Sequence, residues 1–255
     1  MNSPNDAPSA TWPYPRWIAH RGAGKLAPEN TLAAFRLGAS HGFRMFECDV
    51  KLSADGEPFL LHDADLDRTT SGHGPAGDQP WDELSRLDAG SWHSAAYAGE
   101  PLLRLQALAR WLQANGLLVN LEIKPSPGLD EVTGRVVAQA VRRLWTGQTP
   151  MPLLSSFNPS ALRSAREAAP EVPRALLLET LRTGWVDEAL SLGSVAVVAH
   201  HAQWTAEGIA LAHQAGLKAL TYTVNEVACA DELWAAGLDG LITDRVDLMG
   251  PRSPA

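Results

Sequence analysis

The stretch Met45-Phe46-Glu47-Cys48-Asp49-Val50 decides how this chain is read. It reads as a β-strand, and its two acidic residues stand two apart, so both side chains leave on the same face. Similar short apolar runs recur along the chain. With this one extended to 45–51, they fall at 16–19, 117–123, 153–156, 175–178, 195–199, 219–224 and 240–243. Segments with apolar residues at helical spacing lie between them, at 31–41 (Leu32, Phe35, Ala39), 106–114, 131–144, 160–168, 206–215 and 226–236. Near-continuous apolar strands imply a parallel sheet covered on both faces. Alternation of about eight strands with helices over about 250 residues predicts an α/β fold, a (β/α)8 TIM barrel. A doubly wound open sheet is the competing arrangement, but no GxGxxG follows the first strand, and eight repeats suit closure.

One region breaks the rhythm. Between the second and third barrel strands, 57–104 carries Phe59-Leu60-Leu61, then Gly- and Asp-rich turns, then Trp81, Leu84, Leu87 and Trp92. An insertion after a barrel strand lies on the catalytic face. It reads either as a lid over the substrate or as a satellite packed by its own Trp and Leu residues. A single domain is expected over 13–248, with 1–12 and 249–255 as tails.

Composition limits the function classes. The chain has 255 residues, 45% hydrophobic and 20% charged, which excludes a disordered polymer. A net charge of −8 argues against a nucleic-acid partner and against docking on anionic lipid. An anionic substrate would have to be attracted locally, by a metal or a few placed cations. The first ten residues show neither a basic n-region nor an apolar h-region, and no run approaches membrane-spanning length. A soluble, cytoplasmic protein without a membrane anchor is expected, and a homodimer is left open. Cys48 and Cys229 lie in no CxxC or CxxH spacing and read as reduced thiols.

Polar residues at strand ends carry the chemistry. The first strand runs into His20-Arg21-Gly22; the second delivers Glu47 and Asp49; the third ends with Asn120, Glu122 and Lys124 on one face. Between the second and third comes Leu61-His62-Asp63. Three carboxylates from neighbouring strands suggest a hard divalent cation, Mg2+ or Ca2+ rather than zinc. Arg21 and Lys124 do not balance Glu47, Asp49 and Glu122, whereas an added divalent ion leaves the site positive enough for a phosphodiester. Arg21 offers a fork for two phosphate oxygens. His20 and His62 can move protons near neutral pH. Each feature alone has a structural reading, such as a Glu122–Lys124 ion pair; their convergence favours a site. His41, His73, His93 and His213 read as solvent-facing, and one of His200 and His201 as lining the pocket.

Taken together, His20-Arg21-Gly22, Ala27-Pro28-Glu29-Asn30-Thr31, Glu47-x-Asp49, Leu61-His62-Asp63 with Leu66 and Arg68-Thr69, and Glu122-Ile123-Lys124-Pro125 resemble the glycerophosphodiester phosphodiesterase family. The likeness continues through Ser155-Ser156-Phe157, Tyr222-Thr223-Val224-Asn225 and Gly237-Leu238-Asp239-Gly240 to Thr243-Asp244, most like its cytosolic bacterial branch that partners glycerol-phosphate uptake. The resemblance implies a barrel with an inserted subdomain and hydrolysis of glycerophosphodiesters to glycerol 3-phosphate and an alcohol with one divalent metal. It assigns Glu47, Asp49 and Glu122 to the metal, His20 and His62 to acid–base catalysis, and Arg21 and Lys124 to the phosphate. Phe157 and Tyr222 it assigns to substrate binding. It further implies attack by the substrate's own glycerol hydroxyl through a cyclic phosphate. Tyr222 stands where many members carry Trp, which alters the surface stacking on glycerol; Leu103 stands where a Pro is common. The leaving alcohol is expected to point to solvent or to the insertion near Trp81 and Trp92. A phospholipase D-like enzyme and a non-catalytic phospho-ligand-binding barrel are the alternatives.

Overall fold

The computed structural model describes residues 12–251. Eight parallel strands close into a barrel: β1 (Trp17–Ala19), β2 (Met45–Leu52), then, after a short antiparallel β3 (Pro58–Leu60), β4 (Leu118–Ile123), β5 (Leu153–Ser156), β6 (Arg174–Leu178), β7 (Ala196–His200), β8 (Lys218–Tyr222) and β9 (Gly240–Thr243). β1 closes the ring by pairing with both β2 and β9, through Ala19↔Phe46 and Ile18↔Ile242. All eight barrel strands fall where the apolar runs placed them.

Alternation fixes what each strand shows the interior. Ile18, Met45, Leu153, Ala175, Leu177, Ala196, Val198, Leu220 and Ile242 form one buried cluster that fills the barrel. Every second residue of β2 continues this face upward as Glu47, Asp49 and Lys51, all buried. β4 runs alongside in the register Glu47↔Asn120 and Asp49↔Glu122, so the acidic residues of two strands meet at one level.

The outward residues pack under helices α1 (Leu32–Ser40), α3 (Leu105–Ala114), α4 (Asp130–Leu144), α5 (Pro159–Ala168), α6 (Trp185–Ser191), α7 (Ala206–Gln214) and α8 (Val227–Ala235), while α2 (Trp81–Leu84) belongs to the insertion. Helix starts are encoded locally. Thr31, Asn158 and Thr205 accept hydrogen bonds from the first-turn amides of α1, α5 and α7, and α5 carries Pro159 at its first position. α4 bears Asp130 and Glu131 in its first turn and Arg142 and Arg143 in its last, complementing the helix dipole. α6 had no counterpart in the sequence reading: it follows Gly184 and is only seven residues long, too short for a periodic signal.

The insertion is a satellite with its own core of Phe59, Leu61, Leu66, Ala76, Leu84, Ala89 and Leu102. Asp88 stitches its far loop by accepting from the amides of Gly90, Ser91 and Gly99. Ordered structure also reaches past the expected domain limits: Trp12 meets Tyr14 edge to face, and Met249 is buried under the helices. The rest of the expected tails, 1–11 and 252–255, lies outside the described residues. No helix among the described residues is long and apolar enough to cross a membrane.

Candidate active site

A cavity of about 630 Å3 opens at the C-terminal ends of the barrel strands. One half is charged, lined by His20, Arg21, Glu47, His62, Glu122 and Lys124, with Asn120 at its base. The other is mostly aromatic and apolar, with Phe157, Leu177, Tyr222 and Ile242 alongside His200, Thr223 and Glu179. Eight of the nine residues singled out from the sequence therefore line one space. The ninth, Asp49, lies under Arg21 and is 1% exposed.

The loop after β1 is built to bring two of them in. Arg21 and Asn30 both adopt left-handed backbone, with φ of 49° and 60°, the kind of strain that persists where the surroundings over-determine it. Gly22 has φ 100°, and a Cβ there would lie 2.7 Å from that of Ala34, so the loop sits hard against α1. Asn30 holds Asp49 twice, donating from Nδ2 to Oδ2 (2.9 Å) and accepting the Asp49 amide at 3.3 Å.

Each histidine is braced by a carboxylate on Nδ1: His20 by Asp244 at 2.6 Å, His62 by Asp63 at 2.7 Å. A carboxylate on Nδ1 fixes the tautomer and leaves Nε2 as the working nitrogen. Asp244 is itself held by Asn225, which donates to Oδ2 at 3.0 Å, while Asp63 is clamped by Arg68. Burial pushes the Asp244 carboxyl up, but the hydrogen bond and charge of His20, with Asn225 and Lys25, together outweigh this and leave it at about 2. Burial pulls His62 below the ordinary histidine value, against the pull of Asp49, so its neutral form dominates at pH 7. Beyond their place in the motifs, Asp63, Asp244, Glu29 and Asn30 had no role from the sequence alone. Asp63 braces the neighbouring His62, whereas the contacts of Glu29, Asn30 and Asp244 span 8, 19 and 224 residues.

Glu47, Asp49 and Glu122 each offer a carboxylate oxygen, all within 4.8 Å of one another. Burial, then Asp49 and Glu122, push the Glu47 carboxyl well up; burial, then Asp49, raise that of Glu122 to about 7. Burial also disfavours the Asp49 anion, yet Arg21, Lys124 and His62 more than offset this and hold it below the usual range. This is the signature of three oxygen donors too close for their charges, the donor chemistry of a hard divalent cation. Lys124 lies 3.1 Å from Glu122 and 3.7 Å from Asp49.

Arg21 is partly engaged within the protein. Its Nη1 donates to Glu29 at 2.8 Å, while its Nε lies 3.3 Å from Asp49 without a hydrogen bond, so one arm of the guanidinium is held by a carboxylate. Only Nη2 has no carboxylate partner among the described residues. The insertion adds His62 to the cavity lining, but Trp81 packs on Phe59 and Trp92 donates to Ala89, so neither Trp faces the cavity. Of the His200–His201 pair, His200 lines the cavity. His41 is exposed as expected; His73 pairs with Asp67 at the surface, His213 with Asp239, and His93 is pinned between Lys25 and the Trp92 and Tyr97 rings.

The fold and site are thus a parallel barrel with two braced histidines and a carboxylate trio at the C-terminal mouth of its strands. The glycerophosphoryl diester phosphodiesterase family pattern matches residues 20–248. The chain belongs to that family. It is 32% identical over 232 residues to a glycerophosphodiester phosphodiesterase of Caldanaerobacter subterraneus subsp. tengcongensis, covering 89% of this chain and 93% of that one. An Oleispira antarctica phosphodiesterase solved in complex with its product sn-glycerol-3-phosphate superposes with a TM-score of 0.85 at 35% identity, covering 90% and 93% of the two chains. The glycerophosphodiester phosphodiesterase of Agrobacterium tumefaciens gives 0.79 at 32% identity, covering 92% and 98%.

Proposed function

We propose that this chain hydrolyses glycerophosphodiesters to sn-glycerol 3-phosphate and an alcohol, using one divalent cation, Mg2+ or Ca2+, and acid–base catalysis by His20 and His62. The observation that carries the reading is the meeting of two carboxylate-braced histidines with Glu47, Asp49 and Glu122 in one cavity. Those three carboxylates would hold the cation, which when bound offsets phosphate charge and draws an anion into a −8 protein.

The remaining steps belong to the chain. Lys124 and the free Nη2 of Arg21 hold the phosphate oxygens. Neutral His62 accepts the proton of the glycerol hydroxyl vicinal to the phosphate ester. That oxygen attacks phosphorus, closing a cyclic phosphate and breaking the bond to the leaving alcohol. His20, with Asp244 on Nδ1 and Glu47 3.7 Å from Nε2, protonates the departing alkoxide. In the second step His20 accepts a proton from water, the hydroxide oxygen opens the ring, and His62 returns its proton to the freed hydroxyl.

Release of glycerol 3-phosphate from a panel of glycerophosphodiesters, with and without chelator, tests reaction and metal together. Turnover is expected to vanish in EDTA and return with Mg2+ or Ca2+. Full activity in excess EDTA, with no metal by elemental analysis, would sink the metal assignment.

Stability supplies an independent check. A carboxyl whose folded-state pKa is raised binds protons more tightly in the fold, so its contribution is greatest at low pH and is lost as pH rises. For Glu122 the window runs from the ordinary 4.5 to about 7, and Glu47 shifts in the same direction. Asp49 works oppositely, but only on acidification below its ordinary 3.8. The Tm increment given by Mg2+ or Ca2+ over chelator should therefore widen between about pH 5 and 8. An increment that is absent at both pH values counts against the site.

A further inference from the structure

A phosphodiester has two arms that diverge from phosphorus, and the charged half of the cavity accounts for only one. The hydroxyl that attacks must lie beside His62 and the carboxylate trio, which places the glycerol arm there. Lys124, on the phosphate, has Nζ 6.0 Å from the centre of the Phe157 ring, so the second arm leaves over the aromatic half.

That half has a definite chemistry. Phe157, at the end of β5, meets Tyr222 edge to face at 5.7 Å, and Tyr222 meets His200 the same way at 5.9 Å. The Tyr222 hydroxyl reaches across β7 and donates to the carbonyl of Leu178, the residue before Glu179. Glu179 thus stands at the rim beside the phenol, and it lines the cavity as well as a shallower groove that continues outward past Phe157. It is exposed, and among the described residues it has no ion-pair or hydrogen-bond partner. The nearest basic residue on that groove, Arg182, is bound to Glu188. Aromatic faces with one uncompensated carboxylate recognise a cation that carries apolar surface. A neutral polyol would instead call for several fixed hydrogen-bonding groups, and this wall offers few.

We propose that Phe157, Tyr222 and Glu179 form a leaving-alcohol subsite selective for a substituted ammonium, so that diesters of an amino alcohol such as choline or ethanolamine are favoured over those of neutral polyols. The proposal rests on the diesterase reading above. It moves the leaving alcohol away from the insertion and gives the outer edge of Tyr222 a task beyond glycerol.

The test compares kcat/KM for glycerophosphocholine and glycerophosphoinositol in the wild type, Glu179→Gln and Glu179→Lys. The wild type should prefer the choline ester. Glu179→Gln should lower the choline-to-inositol ratio by about 3- to 5-fold, the upper range for an exposed charge pair, chiefly through KM. Glu179→Lys should lower it further. In parallel, calorimetry with glycerophosphocholine on the Ca2+-loaded, catalytically impaired His62→Ala protein reads binding without turnover, with and without Glu179→Gln. A wild-type ratio at or below one, or the same ratio in all three proteins, overturns the subsite. If no ester is hydrolysed, the diesterase reading fails, and the calorimetric loss caused by Glu179→Gln still decides whether the ammonium is bound here.

Discussion

His62→Ala and His20→Ala should each lower kcat by about 10²–10⁴, the usual worth of one positioned acid or base, while leaving metal binding intact. The geometry says why the losses should be large. Each ring is fixed by a carboxylate on Nδ1, so no neighbouring group can take over at the same place. Neither imidazole is a member of the carboxylate trio, so the cation should bind the variants as it binds the wild type. Replacing the brace instead of the histidine, with Asp63→Asn, should cost less, because the ring stays but loses its preferred tautomer. The two histidines also differ in a measurable way. Burial holds His62 below the ordinary value, so kcat/KM should fall as pH drops through its pKa. That acidic limb should be missing from the residual activity of His62→Ala and present in His20→Ala. Wild-type kcat in either alanine variant would remove that residue from the chemistry.

The barrel was legible because its signal is local. Apolar runs at eight places and helical spacing between them survive whatever the tertiary contacts do, and the capping residues Thr31, Asn158 and Thr205 sit in the sequence where the helices begin. Glu47, Asp49 and Glu122 were legible for a related reason. Period-two alternation tells which residues share a face, and charges on the inward face of a barrel strand need a purpose. The same alternation carries on to Lys51, which is buried and donates to the carbonyl of Lys124 at 3.4 Å, a continuation the sequence reading did not follow.

What stayed hidden is everything set by contacts distant in sequence. Asp244 reaches His20 only because β9 pairs with β1, and nothing near residue 244 announces a histidine partner. Residue type alone makes Arg21 a phosphate fork, and the acceptance of its Nη1 hydrogen bond by Glu29 shows only in the fold. The insertion was the hardest to judge. Trp81 and Trp92 have the look of a lid, but a satellite of this size needs its own apolar core, and Trp81 packs into it beside Phe59. Strand β3 ties that satellite to the edge of β2 through Val50↔Leu60 and Lys51↔Phe59, which is also what delivers His62 to the mouth of the barrel.

Removing or methylating the glycerol hydroxyl vicinal to the phosphate ester should yield a diester that binds but barely reacts. Among the described residues, no serine, threonine or cysteine lines the charged half of the cavity, and Cys48 is buried in β2 with burial, then Glu47 and Asp49, pushing its thiol far up. A covalent intermediate on a hydroxyl or thiol therefore has no nucleophile to form on there. The substrate, by contrast, carries a hydroxyl tethered two carbons from the ester oxygen, and well-oriented intramolecular attack is worth effective molarities of about 10⁵–10⁸ M. Two histidines in one cavity, each braced at Nδ1, suit such a displacement, one receiving the attacking proton and the other protonating the departing oxygen. The deoxy substrate should thus keep its Kd within a few-fold and lose nearly all of its kcat. The normal substrate, quenched early, should show a cyclic glycerol phosphate by 31P NMR that decays as glycerol 3-phosphate appears. Comparable turnover of the deoxy diester, with no cyclic species at early times, would mean that water attacks the diester directly. His62 would then act on that water instead of on the substrate.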